Sequence, residues 1–302
     1  MSKPVFVGAA VAIITPFYEE GGINFDELKR LIEFQIEQKI DAIVICGSTG
    51  EAATMTEDEH IAAIKCAVDT VAGRVPVVAG TGSNDTSFGV KLTKKAYELG
   101  ADAALLVTPY YNKCTQEGLF RHYAKIAEAV PELPLILYNV PSRTNVNISP
   151  EVLKRLSVYE NIVGVKECNF NQVPEIYNLC GDRYAIYSGE DGLVVPLLSL
   201  GGNGVISVIA NVLPNATSKM VHDFIDGDIK SAKDCQIAFT PLVKALFSEV
   251  NPIPVKEAMN ILGWNAGICR LPLCEMSKAN REKLVDVLAK YDTSAMKDFL
   301  AK

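Results

Sequence analysis

The chain has 302 residues, 49% of them apolar and 22% charged, with 21 Gly and 15 Pro. That length holds one large α/β domain of about 250 residues with an appendage, or two domains of about 150. The apolar fraction excludes disorder, and the ordinary Gly and Pro content excludes a collagen-like or low-complexity chain. Lys plus Arg number 29 against 36 Asp plus Glu, a net charge of −7 without any basic run, which speaks against a nucleic-acid partner. The opening MSKPVFVGAA has no cationic segment leading into a long apolar core. No apolar run reaches the ~20 residues that span a bilayer, so a cytoplasmic protein with no membrane association is expected.

Short apolar runs alternate with longer amphipathic segments. Strands are expected over Gly8–Ile14, Ala42–Cys46, Pro76–Ala79, Ala103–Val107, Leu135–Tyr138, Ile162–Lys166, Tyr184–Ser188 and Gly204–Val208. They read as continuous apolar runs and not as in–out alternations, the pattern of parallel strands covered on both faces. The first helix, Phe25–Gln38, opens on Asn24 as N-cap and puts Leu28, Leu31, Ile32 and Ile36 on one face. The next, Thr56–Val71, begins with a capping box, Glu59 standing three residues after Thr56. Helical patterns follow over Val90–Leu99, Glu117–Val130 and Gln172–Leu179, with Gly100 and Gly181 as C-terminal stops. After the eighth strand come Pro214–Ile225, Asp228–Glu249, a break at Asn251-Pro252, and helices through Leu262 and over Lys278–Lys290.

Eight strands with intervening helices predict an α/β fold, a (β/α)8 TIM barrel over 1–227, with a C-terminal helical extension, 228–302, packed on its side. A dinucleotide-binding fold would place G-x-G-x-x-G after the first strand, where Thr15-Pro16-Phe17 stands. The eight cysteines form no C-x-x-C pair. The histidines, His60, His122 and His222, have no H-E-x-x-H spacing, so neither a metal nor a cofactor is expected. The cysteines read mostly as reduced, buried, small hydrophobes.

Active sites of such barrels lie at the C-terminal ends of the strands. Lys166 stands there, after Ile162-Val163-Gly164-Val165. A strand-terminal lysine usually snorkels to solvent. This one closes an interior parallel strand, so its amine points into the barrel mouth. An amine in an apolar pocket loses solvation of its charged form, its pKa falls, and the neutral fraction attacks carbonyls to give an imine. Tyr138 ends the neighbouring strand and can move protons at that imine; its bland reading is a rim aromatic with a wet hydroxyl. Thr49, in Gly47-Ser48-Thr49-Gly50, offers a hydroxyl relay, although many turns share that pattern. Arg143 would otherwise be a solvated loop cation; beside Lys166 its planar fork suits a substrate carboxylate. The group implies a small anionic carbonyl substrate. Gly201-Gly202-Asn203-Gly204 precedes the eighth strand and reads as a tight helix-to-strand turn, not as a phosphate loop.

Over residues 5–293 the chain resembles the dihydrodipicolinate synthase (4-hydroxy-tetrahydrodipicolinate synthase) family, within the N-acetylneuraminate lyase superfamily of class I aldolase-type barrels. The resemblance rests on Gly47-Ser48-Thr49-Gly50-Glu51, Tyr110-Tyr111, Tyr138 to Thr144, Val165-Lys166-Glu167, Ser188 to Asp191, Gly204 to Ser207, and Asn251-Pro252-Ile253-Pro254-Val255-Lys256. The Pro-Ser-Arg context of Arg143 and the last segment favour the synthases. The resemblance implies a Schiff-base lyase of lysine and diaminopimelate biosynthesis whose substrates are pyruvate and L-aspartate 4-semialdehyde. It makes Lys166 the imine-forming residue and Tyr138 the acid/base. By the same resemblance, protons would pass through Thr49 to Tyr111, which in the family is donated across a dimer interface. Ser48 and Thr49 would contact the pyruvate carboxylate, Gly189 and Ile206 would line its pocket, and Arg143 would clamp the carboxylate of the semialdehyde. It also implies a homotetramer, a dimer of dimers.

Lysine-inhibited members bind their effector at a subunit interface, and the positions resembling that site are Ala52, Ala53, Glu57, His60, Asn84, Phe88 and Tyr110. Sensitive members carry His where Glu57 stands and Glu where Phe88 stands, so weak or absent lysine feedback is expected. The rival within the superfamily is another pyruvate-dependent lyase, cleaving sialic acid or a 2-keto-3-deoxy sugar acid, which should not need Arg143. A rival of another class is a catalytically silent barrel that binds sugar acids.

Overall fold

The computed structural model describes residues 3–302. Eight parallel strands close into a barrel in chain order: β1 (Gly8–Ala12), β2 (Ala42–Ile45), β3 (Val77–Gly80), β4 (Ala103–Val107), β5 (Leu135–Asn139), β6 (Ile162–Glu167), β7 (Ala185–Ser188) and β8 (Gly204–Ser207). β1 pairs with both β2 and β8, so no edge is left open. Between the strands run α1 (Phe25–Glu37), α2 (Glu57–Val71), α3 (Thr86–Glu98), α4 (Gln116–Ala129), α5 (Pro141–Thr144), α6 (Pro150–Leu156), α7 (Val173–Cys180) and α8 (Val194–Ser199). After β8 come α9 (Pro214–Ile225), α10 (Ile229–Leu246), α11 (Ile253–Ile261), α12 (Lys278–Leu288) and α13 (Ser294–Leu300). The architecture is the (β/α)8 barrel with added C-terminal helices that the patterning predicts.

The differences at element ends have local causes. β1 stops at Ala12, two residues early, and the Ile14 amide donates to the Asn211 side chain. α3 starts four residues before the apolar pattern, because the Asp85 carboxylate caps the Ser87 and Phe88 amides. Asn24 caps α1, and Thr56 and Glu59 form the reciprocal box at α2. The helices α6 and α8 were not expected from patterning; they have only seven and six residues, too few to display a helical period. Cys46 and Cys269 are buried, Cys274 is exposed and the remaining cysteines are half-buried, which corrects the expectation of a mostly buried set. Cys66 and Cys180 lie on barrel-flanking helices and Cys235 on α10 of the C-terminal extension, where one edge meets solvent.

The barrel interior is filled by Ala10, Ala12, Ala42, Val44, Val78 and Ala103 on the first four strands, and by Ile136, Tyr138, Tyr187 and Ile206 opposite. Phe6 stacks on Tyr187 at 4.3 Å and closes the N-terminal end, its carbonyl accepting from the Tyr187 hydroxyl at 2.8 Å. β8 begins on Gly204 (φ +153°), where a Cβ would lie 1.9 Å from the Gly8 carbonyl oxygen. The Gly201–Gly204 segment is the expected turn from α8 into β8.

The C-terminal helices do more than lie against the side. α10 packs on α9 and α12, while Asn251 and α11 reach over the rim to the loop after β2. No helix among the described residues is long and apolar enough to cross a membrane.

Candidate active site

β5 and β6 pair with Tyr138 opposite Lys166, so both side chains enter the barrel in one layer at its C-terminal end. Both are buried, and the Lys166 Nζ lies 4.3 Å from the centre of the Tyr138 ring. Among the described residues that nitrogen has neither a hydrogen bond nor an ion pair. Burial lowers its pKa; Arg143 adds to the shift, and Cys168, Asp191 and Glu190 oppose it. The Tyr138 phenol is pushed the other way, well above its ordinary range, by burial, with Arg143 and the Ser48 hydroxyl pulling it back. The pair therefore presents an amine inclined to be neutral beside a phenol inclined to keep its proton. That combination suits attack on a carbonyl followed by proton delivery.

The backbone passes close to the amine, and a cleft opens on the Tyr138 side of the mouth. Gly189, on the loop after β7, runs so close that a Cβ there would meet the Cys168 Sγ at 2.3 Å and the Lys166 Cε at 3.4 Å. Ile206 is buried on the inner face of β8, paired with Ala10. Ser48, Tyr138, Arg143 and Asn251 line a cleft of about 470 Å³ above the mouth. Arg143 sits in α5, right after β5, with its Nη2 donating to the Asn251 carbonyl at 2.9 Å. Thr49 is buried, and its hydroxyl oxygen accepts from the Asn251 amide at 3.0 Å. Seven of the eight catalytic and substrate-binding residues expected from sequence are thus gathered at one barrel end.

Tyr111 is the exception. Its backbone is left-handed (φ +73°), its side chain is 91% exposed, and no hydrogen bond joins it to Thr49 or Tyr138. The cleft continues past Ala52, Ala53, Glu57, His60, Phe88 and Tyr110, so the residues expected to form an effector site share its far wall. Asn84 is not on that wall; its carbonyl accepts from Asn112 at 3.0 Å. His60 is buried, donates through Nε2 to the Gly80 carbonyl at 2.7 Å, and burial lowers its pKa, so it stands neutral. Glu57 is held by Lys91 at 2.7 Å.

Sequence reasoning gave no separate role to four groups that hold the site. Asp191 accepts from the Ser207 hydroxyl at 2.5 Å and from the Val208 and Ile209 amides, tying the ends of β7 and β8 together. Glu167, next to Lys166 but facing outward, accepts from the Asn139 and Gln172 side chains and the Asn169 amide, while burial pushes its carboxyl up to about 7. Lys256 and Glu51 form a buried ion pair at 2.8 Å. Asn251 touches Thr49 and Arg143 at once. The Asn-Pro-Ile-Pro-Val-Lys and Gly-Ser-Thr-Gly-Glu motifs carried the signal for the last two. Among the described residues no group of three His, Cys, Asp or Glu side chains could hold a metal ion.

Known proteins resemble this chain over nearly its whole length. The model of the Dihydrodipicolinate synthetase family matches residues 5–291. A 4-hydroxy-tetrahydrodipicolinate synthase of Acetivibrio thermocellus is 55% identical, over 96% of this chain and 99% of that protein. The crystal structure of dihydrodipicolinate synthase from Aquifex aeolicus superposes with a TM-score of 0.93 at 45% identity, covering 95% of this chain and 99% of that one. The enzyme from Acinetobacter baumannii, solved in complex with pyruvate, gives 0.91 at 44% identity, over 94% and 98%. The chain belongs to the dihydrodipicolinate synthetase family.

Proposed function

We propose that the chain is a Schiff-base-forming lyase, a 4-hydroxy-tetrahydrodipicolinate synthase that condenses pyruvate with L-aspartate 4-semialdehyde, and that Lys166 carries the reaction. The observation that supports this most is the buried, unpaired Lys166 amine against Tyr138, with Arg143 at the same mouth. The Lys166 amine adds to the pyruvate keto carbon, and loss of water leaves a protonated imine. That imine is an electron sink, so a methyl proton leaves and an enamine forms. The enamine carbon attacks the aldehyde, whose oxygen takes up a proton. The semialdehyde's own amine then displaces Lys166 from the imine carbon, closing the ring and restoring the lysine. Tyr138 exchanges the protons, with Thr49 and Tyr111 as its relay. Ser48 and Thr49 hold the pyruvate carboxylate, Gly189 and Ile206 bound its pocket, and Arg143 receives the semialdehyde carboxylate.

Borohydride reduction in the presence of pyruvate, followed by peptide mass mapping, tests the reading. A pyruvate adduct on Lys166 is expected, absent in Lys166→Ala. A coupled assay should show turnover with aspartate semialdehyde and none with N-acetylneuraminate. An unmodified Lys166 in a protein that still turns over would overturn the scheme.

The exposed Tyr111 supports assembly into at least a dimer and, as the family resemblance implies, a cytoplasmic homotetramer. No cofactor is assigned beyond the covalent imine. At the far wall of the cleft, Phe88 offers no carboxylate to an effector's ammonium, a loss of about 1.5–3 kcal/mol for a charged hydrogen bond. Lysine inhibition is therefore weak or absent. A titration showing inhibition at submillimolar lysine would contradict this.

A further inference from the structure

We propose that Asn251 is a positioning residue for proton transfer: its side-chain amide turns the Thr49 hydroxyl so that the hydroxyl proton is left free for Tyr138. The inference rests on the reading in which Thr49 relays protons to Tyr138. The Asn251 Nδ2 donates to the Thr49 Oγ1 at 3.0 Å, and Asn251 is 7% exposed. An amide nitrogen has only protons to offer, so this contact makes Thr49 the acceptor on that side. No acceptor within the chain takes the Thr49 proton, among the described residues. The Asn251 Oδ1 is buried without a partner, so the amide is held by what it donates. The reverse orientation would leave the donor end orphaned, and buried N–H groups are left unpaired more rarely than carbonyl oxygens.

The main chain of the same residue does a second job. Its carbonyl accepts from the Arg143 Nη2 at 2.9 Å, and a side-chain substitution leaves that carbonyl in place. The two contacts are therefore separable: changing the side chain acts on Thr49, while the carboxylate clamp at Arg143 keeps its anchor.

The test compares full-length Asn251→Asp and Asn251→Ala with the unaltered chain, using steady-state kinetics and pyruvate trapping. Asp has the shape of Asn, but ionised it can only accept. It would draw the Thr49 proton away from Tyr138, so kcat should fall roughly 100-fold, within the range general acid–base contributions span. Ala leaves the hydroxyl free to rotate, and the loss should be about 10-fold. In both variants the KM for the semialdehyde should stay within about twofold, the signature of an interaction made only in the transition state. Relative to the unaltered chain, the Asp variant should recover as the pH falls and its carboxyl regains a proton to donate.

A packing role predicts the opposite order, with the isosteric Asp better than Ala. Asp turning over as fast as Ala, or an equal rise in semialdehyde KM in both variants, would overturn the proposal. Should Asn251→Asp not fold, the Ala variant decides, and an unchanged kcat would overturn it. An unaltered chain that gives no pyruvate adduct would overturn the synthase reading as well. An adduct with the wrong variant order would overturn the Asn251 assignment alone.

Discussion

Two lysines are buried among the described residues, Lys166 at 6% exposure and Lys256 at 1%, and burial lowers the pKa of both. They differ in what meets the ammonium. The Lys256 Nζ lies 2.8 Å from the Glu51 Oε1, 2.8 Å from the Ile268 carbonyl oxygen and 4.4 Å from the centre of the Phe17 ring. Its partner Glu51 is satisfied in turn by the Arg270 amide at 2.9 Å. Among the described residues the Lys166 Nζ has no hydrogen bond or ion pair, and it lies over the Tyr138 ring. Of the acidic groups that act on it, Asp191 is committed to Ser207, Val208 and Ile209. Burial with a matched counter-charge makes Lys256 a fastener between α11 and the loop after β2. Burial without one leaves Lys166 free to lose its proton and react.

The same substitution at the two sites should therefore have opposite consequences. Lys166→Met removes the nucleophile, and turnover should fall by roughly 10⁴-fold or more. Its midpoint of unfolding should stay level or rise, because a buried amine with no hydrogen-bond partner gives way to an apolar chain of similar length. Lys256→Met leaves the buried Glu51 carboxylate without its ammonium partner, and should cost about 3–5 kcal/mol in urea unfolding. Replacing Glu51 by Gln in that background should return most of the loss. If Lys166→Met destabilises the fold as much as Lys256→Met does, the contrast fails and Lys166 is a structural ion after all.

Much of the barrel is legible along the chain because local signals and burial agree there. The runs at Ala103–Val107 and Ile162–Lys166 are buried along almost their whole length, and the caps at Asn24 and Thr56 act on neighbouring residues. Lys166 and Tyr138 are legible for a related reason: each follows directly on an apolar strand, which fixes its height in the barrel. Contacts that join distant segments left no such mark. Asn251 meets Thr49 across 202 positions and Lys256 meets Glu51 across 205, and no periodicity encodes those pairings. Tyr111 is silent for another reason: the relay role proposed for it would call on a second copy of the chain, which no local pattern encodes.

Arg143 gives a smaller test, because it touches the two regions in different ways. Its guanidinium is anchored by the Asn251 carbonyl, at the junction with the C-terminal helices, and its charge is one of the influences that hold the Lys166 pKa down. Arg143→Ala should raise the semialdehyde KM about 10- to 100-fold, the worth of a charged hydrogen bond, and affect pyruvate less. It should also displace the pH profile of pyruvate capture. Removing a neighbouring positive charge favours protonated Lys166, so its pKa rises and the neutral fraction at any given pH shrinks. The initial rate of adduct formation should therefore climb with pH in both proteins, but at more alkaline values in the variant. Lys256 should show no such change, because the charges that act on it are those of Glu51, Cys269 and Arg270 and not of Arg143. A profile that does not move would mean that desolvation alone sets the Lys166 amine, and that Arg143 acts only on the second substrate.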